Sequence, residues 1–201
     1  MRIKSILLAS FCLAILMANP AHAGVEVTAS KSLTIQPGGP RSDENGSEYF
    51  NIEAKDNKQY ASFGVLIFEI PKEAQDKKVK SVTLTLVQSI PRFAKDGAIR
   101  FYLAPDLPDA EDLKFDTNAI DGLGNRIMAF QAMGSGNFKK LETGKTETFS
   151  LTLDDIARER IAKGGNLCLV IVPADAAVAA TYFGANEGAK DKSPRLTLDV
   201  P

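Results

Sequence analysis

The chain has 201 residues, with 24 Lys and Arg against 25 Asp and Glu, a net charge of −1, one His, two Cys and no Trp. So balanced a charge gives no cationic footprint for nucleic acid or an anionic membrane surface. The length suits one domain that buries its own core without cross-links.

The N-terminus reads as a secretory signal. Arg2 and Lys4 form a basic start, residues 6–17 are apolar apart from Ser10, and Pro20 precedes the small-x-small pattern Ala21-His22-Ala23. The apolar run falls short of the roughly 20 residues of a membrane span. Cleavage after Ala23 is expected, with an exported chain of residues 24–201 in the periplasm, at the cell surface or secreted. It would carry away His22 and Cys12 and leave Cys168 as the one thiol. A Ser–His pair, a Cys–His pair, a His-ligated metal and an internal disulfide are then all excluded within one chain.

Downstream, alternation of apolar and polar residues predicts strands. Short candidates come first, at 25–27, 33–35 and 49–54, with a Pro/Gly/Ser-rich loop at 36–47 between the second and third. Within that loop Asn45-Gly46-Ser47 fits both a glycosylation acceptor and a simple turn. Residues 63–70 are apolar at nearly every position and should be a central strand. Val82, Leu84 and Leu86 alternate strictly, as do Ile99, Phe101 and Leu103. Period two marks a sheet with one buried face and one wet face. The segment 107–145 is rich in Gly and acids, yet Ile127, Met128, Phe130, Met133, Phe138 and Leu141 make it too apolar for a linker. It reads as a long ordered insertion that packs on the body.

A strand at 148–153 leads into the one predicted helix, over 154–162. Thr152-Leu153-Asp154-Asp155 is similar to a capping box, and Leu153, Ile156, Ala157 and Ile161 recur at helical spacing. Gly164-Gly165 ends the helix. Residues 167–172 form a second run apolar on both faces, with Cys168 inside it, and 181–184 and 196–200 complete about ten strands. The fold class that follows is all-β, an antiparallel β-sandwich of jelly-roll type with one short helix.

Four passages, in this order, resemble the DNRLRE domain family of exported bacterial modules. They are Asn45-Gly46-Ser47 leading into Tyr49-Phe50-Asn51-Ile52, the strand Phe63 to Pro71 with Phe68 and Glu69, the strand Val79 to Leu86, and the tail. The tail runs from the helix through Gly164-Gly165 and Tyr182-Phe183 to Ser193-Pro194-Arg195-Leu196. The chain departs from the family in lacking the Arg-Leu pattern and Trp, and in its 107–145 insertion. The resemblance implies a jelly-roll module similar to carbohydrate-binding modules. It also implies a structural Ca²⁺ near the chain ends, at Glu26, Asp43, Glu44 and Asp199.

Sugar recognition needs an aromatic face for the pyranose ring and polar groups for its hydroxyls. The tyrosines Tyr49, Tyr60, Tyr102 and Tyr182 are candidates, though tyrosines also commonly cover sheet faces. Tyr102 alternates away from Ile99, Phe101 and Leu103 and should face outward with Arg100. Tyr60 follows the polar stretch 55–59. Asp109, Glu111, Asp112, Asp116 and Asp121 cluster in the insertion, where a solvated face accounts for them. The reading is a secreted non-catalytic binding module for extracellular polysaccharide, with Tyr102, Arg100 and Tyr60 as ligand-binding residues. The alternatives are a structural or adhesive protein that binds an envelope partner, and a carboxylate-based hydrolase or lyase.

Overall fold

Strand β1 (Val25–Gln36) belongs to both layers of the molecule. Its first residues pair with β11 (Arg195–Asp199), and from Lys31 onward it pairs with β4 (Phe63–Ile70), with an irregular register between Ala29 and Lys31. The computed structural model describes residues 24–41, 48–104, 113–185 and 187–201. Alternation predicts two short strands here, because the polar run Ser30-Lys31-Ser32 interrupts the apolar pattern after Ala29. The run falls where the strand bends from one layer to the other, as bulges commonly do at sheet corners. Ser30 Oγ secures the bend by donating to the Ile67 carbonyl at 3.1 Å.

The first layer runs β7 (Gln131–Phe138), β6 (Gly97–Leu103), β9 (Gly165–Pro173), β4 and β1, with β2 (Gly39–Pro40) turned back on the end of β1. The second runs from β1 through β11 and β5 (Ser81–Val87) to β8 (Thr146–Leu151). Strands β3 (Tyr49–Glu53) and β10 (Ala179–Phe183) form a separate ladder. It continues the second layer through a bridge between Gln88 and Tyr182. Every pairing is antiparallel. The chain is an antiparallel β-sandwich, and β4 and β9, the two runs expected to be central, lie side by side inside the first layer.

Between the layers lies the main core. Phe68, Phe101 and Ile171 face Leu84, Leu198 and Phe50 across it, all fully buried. Gly64 matters because Phe50 lies over it; a Cβ there would sit 2.7 Å from the ring. Tyr182 is fully buried, stacked on Phe50 at 5.5 Å and edge-on to Phe138 at 5.8 Å. Its hydroxyl donates to Glu147 Oε2 at 2.7 Å. Burial, reinforced by the Glu147 charge and this bond, raises the phenol well above its ordinary range. Tyr182 is a core residue, which removes it as a sugar platform.

A second core lies on the outer face of the first layer. Phe63, Val65, Cys168, Val170, Val172 and Tyr102 point away from the main core, and Leu113, Phe115 and Leu123 cover them. Ile127 and Phe130 complete the cover. The insertion is therefore ordered over its described residues and packs on the sandwich, as its apolar content suggested. It also supplies β7, which sequence alternation did not reveal: Gly134 and Gly136 dilute the pattern. Phe115 is the centre of the cover, 6.2 Å from Phe63 ring to ring. Gly122 has φ +73° and would place a Cβ 2.2 Å from the Phe115 ring, so the turn beneath it admits only glycine.

The helix α1 (Asp155–Lys163) closes one end of the sandwich with Ala157 and Ile161, both buried. Its N-cap is Asp154, which accepts from the Ala157 amide at 2.8 Å, so the cap falls two residues after the Thr152 that opens the predicted capping box. Ile156 is 55% exposed, contrary to the helical pattern that placed it inward. Gly164 ends the helix at φ +78°. Arg158 and Arg160 tie it to the sheets by donating to the carbonyls of Val79 and Ala104.

Replacing Phe115 with Ala removes the keystone of the outer core. The expected loss is about 3–5 kcal/mol of unfolding free energy, the range for aromatic truncation in cores. Urea denaturation followed by circular dichroism measures it, and a loss under about 1 kcal/mol would mean the insertion is not packed on the sheet.

Candidate functional site

The outer face of the β3–β10 ladder carries the site. Alternation buries Phe50 and Ile52 and turns Tyr49, Asn51 and Glu53 outward; on β10 it buries Ala180 and Tyr182 and turns Ala179 and Thr181 outward. Two irregular segments raise walls beside this floor. One is the 3-10 segment Lys55–Tyr60, the other begins at the 3-10 turn Pro91–Phe93 and runs to Lys95. Lys95 is held to the ladder by reciprocal backbone bonds with Ala179, at 2.8 and 3.1 Å. Together they enclose a groove of about 840 Å³, into which the β1–β2 hairpin brings Gln36 and Arg41.

The lining combines ring faces with hydrogen-bonding groups. Tyr60 is 58% exposed and Phe93 is 66% exposed, and Tyr49 on the floor is half-buried. Arg92 lies over the Phe93 ring with its guanidinium carbon 5.4 Å from the centroid, a cation–π arrangement. Tyr49 also packs against Phe183 at 5.6 Å, and Lys192 Nζ lies over that ring at 4.9 Å.

Glu53 is the one carboxylate among the described residues that line the groove. Its oxygens accept from Asn51 Nδ2 at 3.2 Å and Asn57 Nδ2 at 3.3 Å. Burial raises its pKa above the ordinary carboxylate value; the Asn51 bond, the Arg41 charge, the Asn57 bond and the Lys95 charge oppose this without cancelling it.

The residues singled out from sequence are dispersed. Tyr60 lines the groove. Tyr102 does lie on the outward face of β6, as alternation required, but the insertion covers that face and leaves it 7% exposed. It is a wall of the outer core and not an open platform. Arg100 is exposed on β6, opposite Ser135 of β7, and is not part of the groove. Glu26 and Asp199 share the outer face of the β1–β11 pair, and Glu26 Oε1 lies 3.8 Å from Arg195 Nη1. Among the described residues no three His, Cys, Asp or Glu side chains gather where a metal ion could be held. Asp43, Glu44, Asn45, Asp109, Glu111, Asp112 and the segment 1–23, expected to be a signal, lie outside the described residues. Among the described residues no helix is long and apolar enough to cross a membrane.

Sequence reasoning missed Asn51, Glu53, Arg92, Phe93 and Lys95 as partners of Tyr60. The outward positions of β3 were available from its alternation. The fold-back of residues 90–95 onto β10 had no local signal, since it depends on pairing between segments far apart in the chain.

No family model and no curated protein matches the chain. Its resemblance to DNRLRE domains therefore rests on motif order alone. Two solved structures align with the chain. One is described as a xylan-binding module CBM15, with 11% identity, a TM-score of 0.44, and coverage of 87% of this chain and 97% of that one. The other comes from work on the promiscuous specificity of carbohydrate-binding modules of the beta-sandwich superfamily. It has 8% identity, a TM-score of 0.30, and coverage of 90% of this chain and 56% of that one.

The raised pKa of Glu53 has a defined sign. Its contribution to stability is fully present below the unfolded carboxylate value and is lost as pH rises through the higher folded value. Glu53→Gln removes that dependence, so the variant should gain stability relative to the parent between pH 4 and pH 7. Urea unfolding at both pH values reads the difference; a gap that stays constant with pH would show that Glu53 is not held in an unfavourable ionised state.

Proposed function

We propose that the chain is an exported, non-catalytic binding module for carbohydrate, and that the β3–β10 groove is its site. The observation that carries this reading is the lining itself. Tyr49, Tyr60 and Phe93 offer ring faces, and Gln36, Asn57 and Thr181 offer amide and hydroxyl groups, in one groove. Pyranose rings present apolar faces to aromatic rings and equatorial hydroxyls to such polar side chains. The groove is also open at the surface, as a polymer passing through it would require.

A binding role fits the chemistry better than cleavage. Glycoside hydrolysis by paired carboxylates needs two acids across the scissile bond. Glu53 stands alone among the described lining residues, and both its oxygens already accept from asparagine amides. Cys168, 3% exposed with its thiol pushed up to about 12 by burial, which the Arg160 charge opposes without cancelling, is unsuited to act as a nucleophile.

Affinity electrophoresis through a panel of polysaccharide gels tests the proposal. Tyr60→Ala and Phe93→Ala should each weaken retardation by about two- to tenfold, the scale of one aromatic stacking contact. Tyr102→Ala should leave retardation unchanged while lowering thermal stability. Equal retardation of the parent and a Tyr60→Ala/Phe93→Ala double variant would remove the groove as the site. So would release of reducing ends, or of products that absorb in the ultraviolet, for the non-catalytic role.

A further inference from the structure

We infer that the groove takes an acidic polysaccharide, whose carboxylate or sulfate groups meet Arg92 and Lys95 while its sugar rings lie on Tyr60 and Phe93. This rests on the carbohydrate reading of the same groove and adds the class of sugar.

The charge distribution is the main argument. Across the whole chain acids outnumber bases by one, 25 to 24. In the groove the balance reverses among the described residues: Arg92 and Lys95 line it together, and Glu53 is the one carboxylate described in its lining. Glu53 does not offset them fully, because its oxygens are engaged by Asn51 and Asn57 and burial favours its neutral form. A neutral glycan would give Arg92 and Lys95 no charge to pair with.

The placement of the cations adds to this. Arg92 is exposed and rests on the Phe93 ring, and neither it nor Lys95 forms an ion pair with a carboxylate among the described residues. A guanidinium stacked on a ring keeps its planar set of N–H donors free at the edge, and these match a carboxylate or sulfate with two parallel bonds. The same ring that steadies Arg92 is 66% exposed and can carry a sugar face beside it. A ring and a cation side by side recognise the two halves of an acidic sugar, its apolar face and its charged substituent. Lys95 reaches the groove from the same segment, three residues on, so both cations share one wall.

The test is affinity electrophoresis of the folded chain, at low and high salt, in gels containing polygalacturonate, dextran sulfate, galactomannan or β-glucan. The expected result is retardation by an acidic polymer that weakens severalfold with added salt, since exposed charge pairs are screened. The polygalacturonate and dextran sulfate arms distinguish a carboxylate from a sulfate as the acid group. Arg92→Ala and Lys95→Ala should each reduce retardation by about two- to fivefold, as expected for exposed charge pairs. Lys78→Ala, which removes an exposed charge outside the groove, should not. Retardation by the neutral gels equal to that by the acidic ones would overturn this inference and leave the carbohydrate reading standing. So would a loss on Lys78→Ala matching that on Lys95→Ala. Free migration through all four gels would overturn both.

Discussion

Strands β4 and β9 are apolar on both faces, and a sheet built around them has to be covered twice. Phe68 and Ile171 point to one side; Phe63, Val65, Val170 and Val172 point to the other. Leaving the second side bare would expose a contiguous apolar surface of the kind soluble domains rarely tolerate. The second layer of the sandwich covers the first side, and the insertion, through Leu113, Phe115 and Leu123, covers the other. The long excursion is thus a requirement of the sheet and not an ornament on it.

This double cover decides where a ligand can be met. The broad outer face of the first layer, which would otherwise be the natural platform, is sealed, and Tyr102 is sealed with it. The second layer keeps an open stretch where the β3–β10 ladder departs from the main path of strands. There the inward residues Phe50, Ile52 and Tyr182 anchor the floor in the core, and the outward Tyr49, Asn51 and Glu53 are fixed by the same alternation. A rigid floor with side chains locked from below suits recognition, since little ordering remains to be done on binding. The hydrogen bond from Tyr182 to Glu147 adds to that rigidity, because a buried phenol without a partner would be costly.

Much of the fold was legible in the sequence, for a physical reason. Alternation reports burial on one face, so strands such as β5, β6 and β11 announced themselves, and the continuous runs of β4 and β9 announced their central position. The helix was legible from its apolar spacing and from Gly164. What stayed hidden were features set by contacts between distant segments. The unity of β1 across its bulge was hidden by polar residues at the bend, and β7 by its glycines. Tyr102 shows the limit most clearly: alternation gave its face correctly, but only the packing of the insertion reveals that the face is covered. The groove was less legible still. Tyr60 was legible as a tyrosine beside a polar stretch, while Phe93 and Lys95 join it only because Lys95 pairs with Ala179.

Cys168 offers the most direct probe of the cover, because its thiol lies in the outer core beneath the insertion. The measurement is the rate of its alkylation at neutral pH, followed by mass spectrometry on the peptide that contains it, across a series of urea concentrations. A sealed face predicts a rate far below that of a free cysteine in the native protein, rising with urea in step with global unfolding. Modification at the free-cysteine rate without denaturant would mean that the face is open, and the account of the insertion as its cover would be wrong.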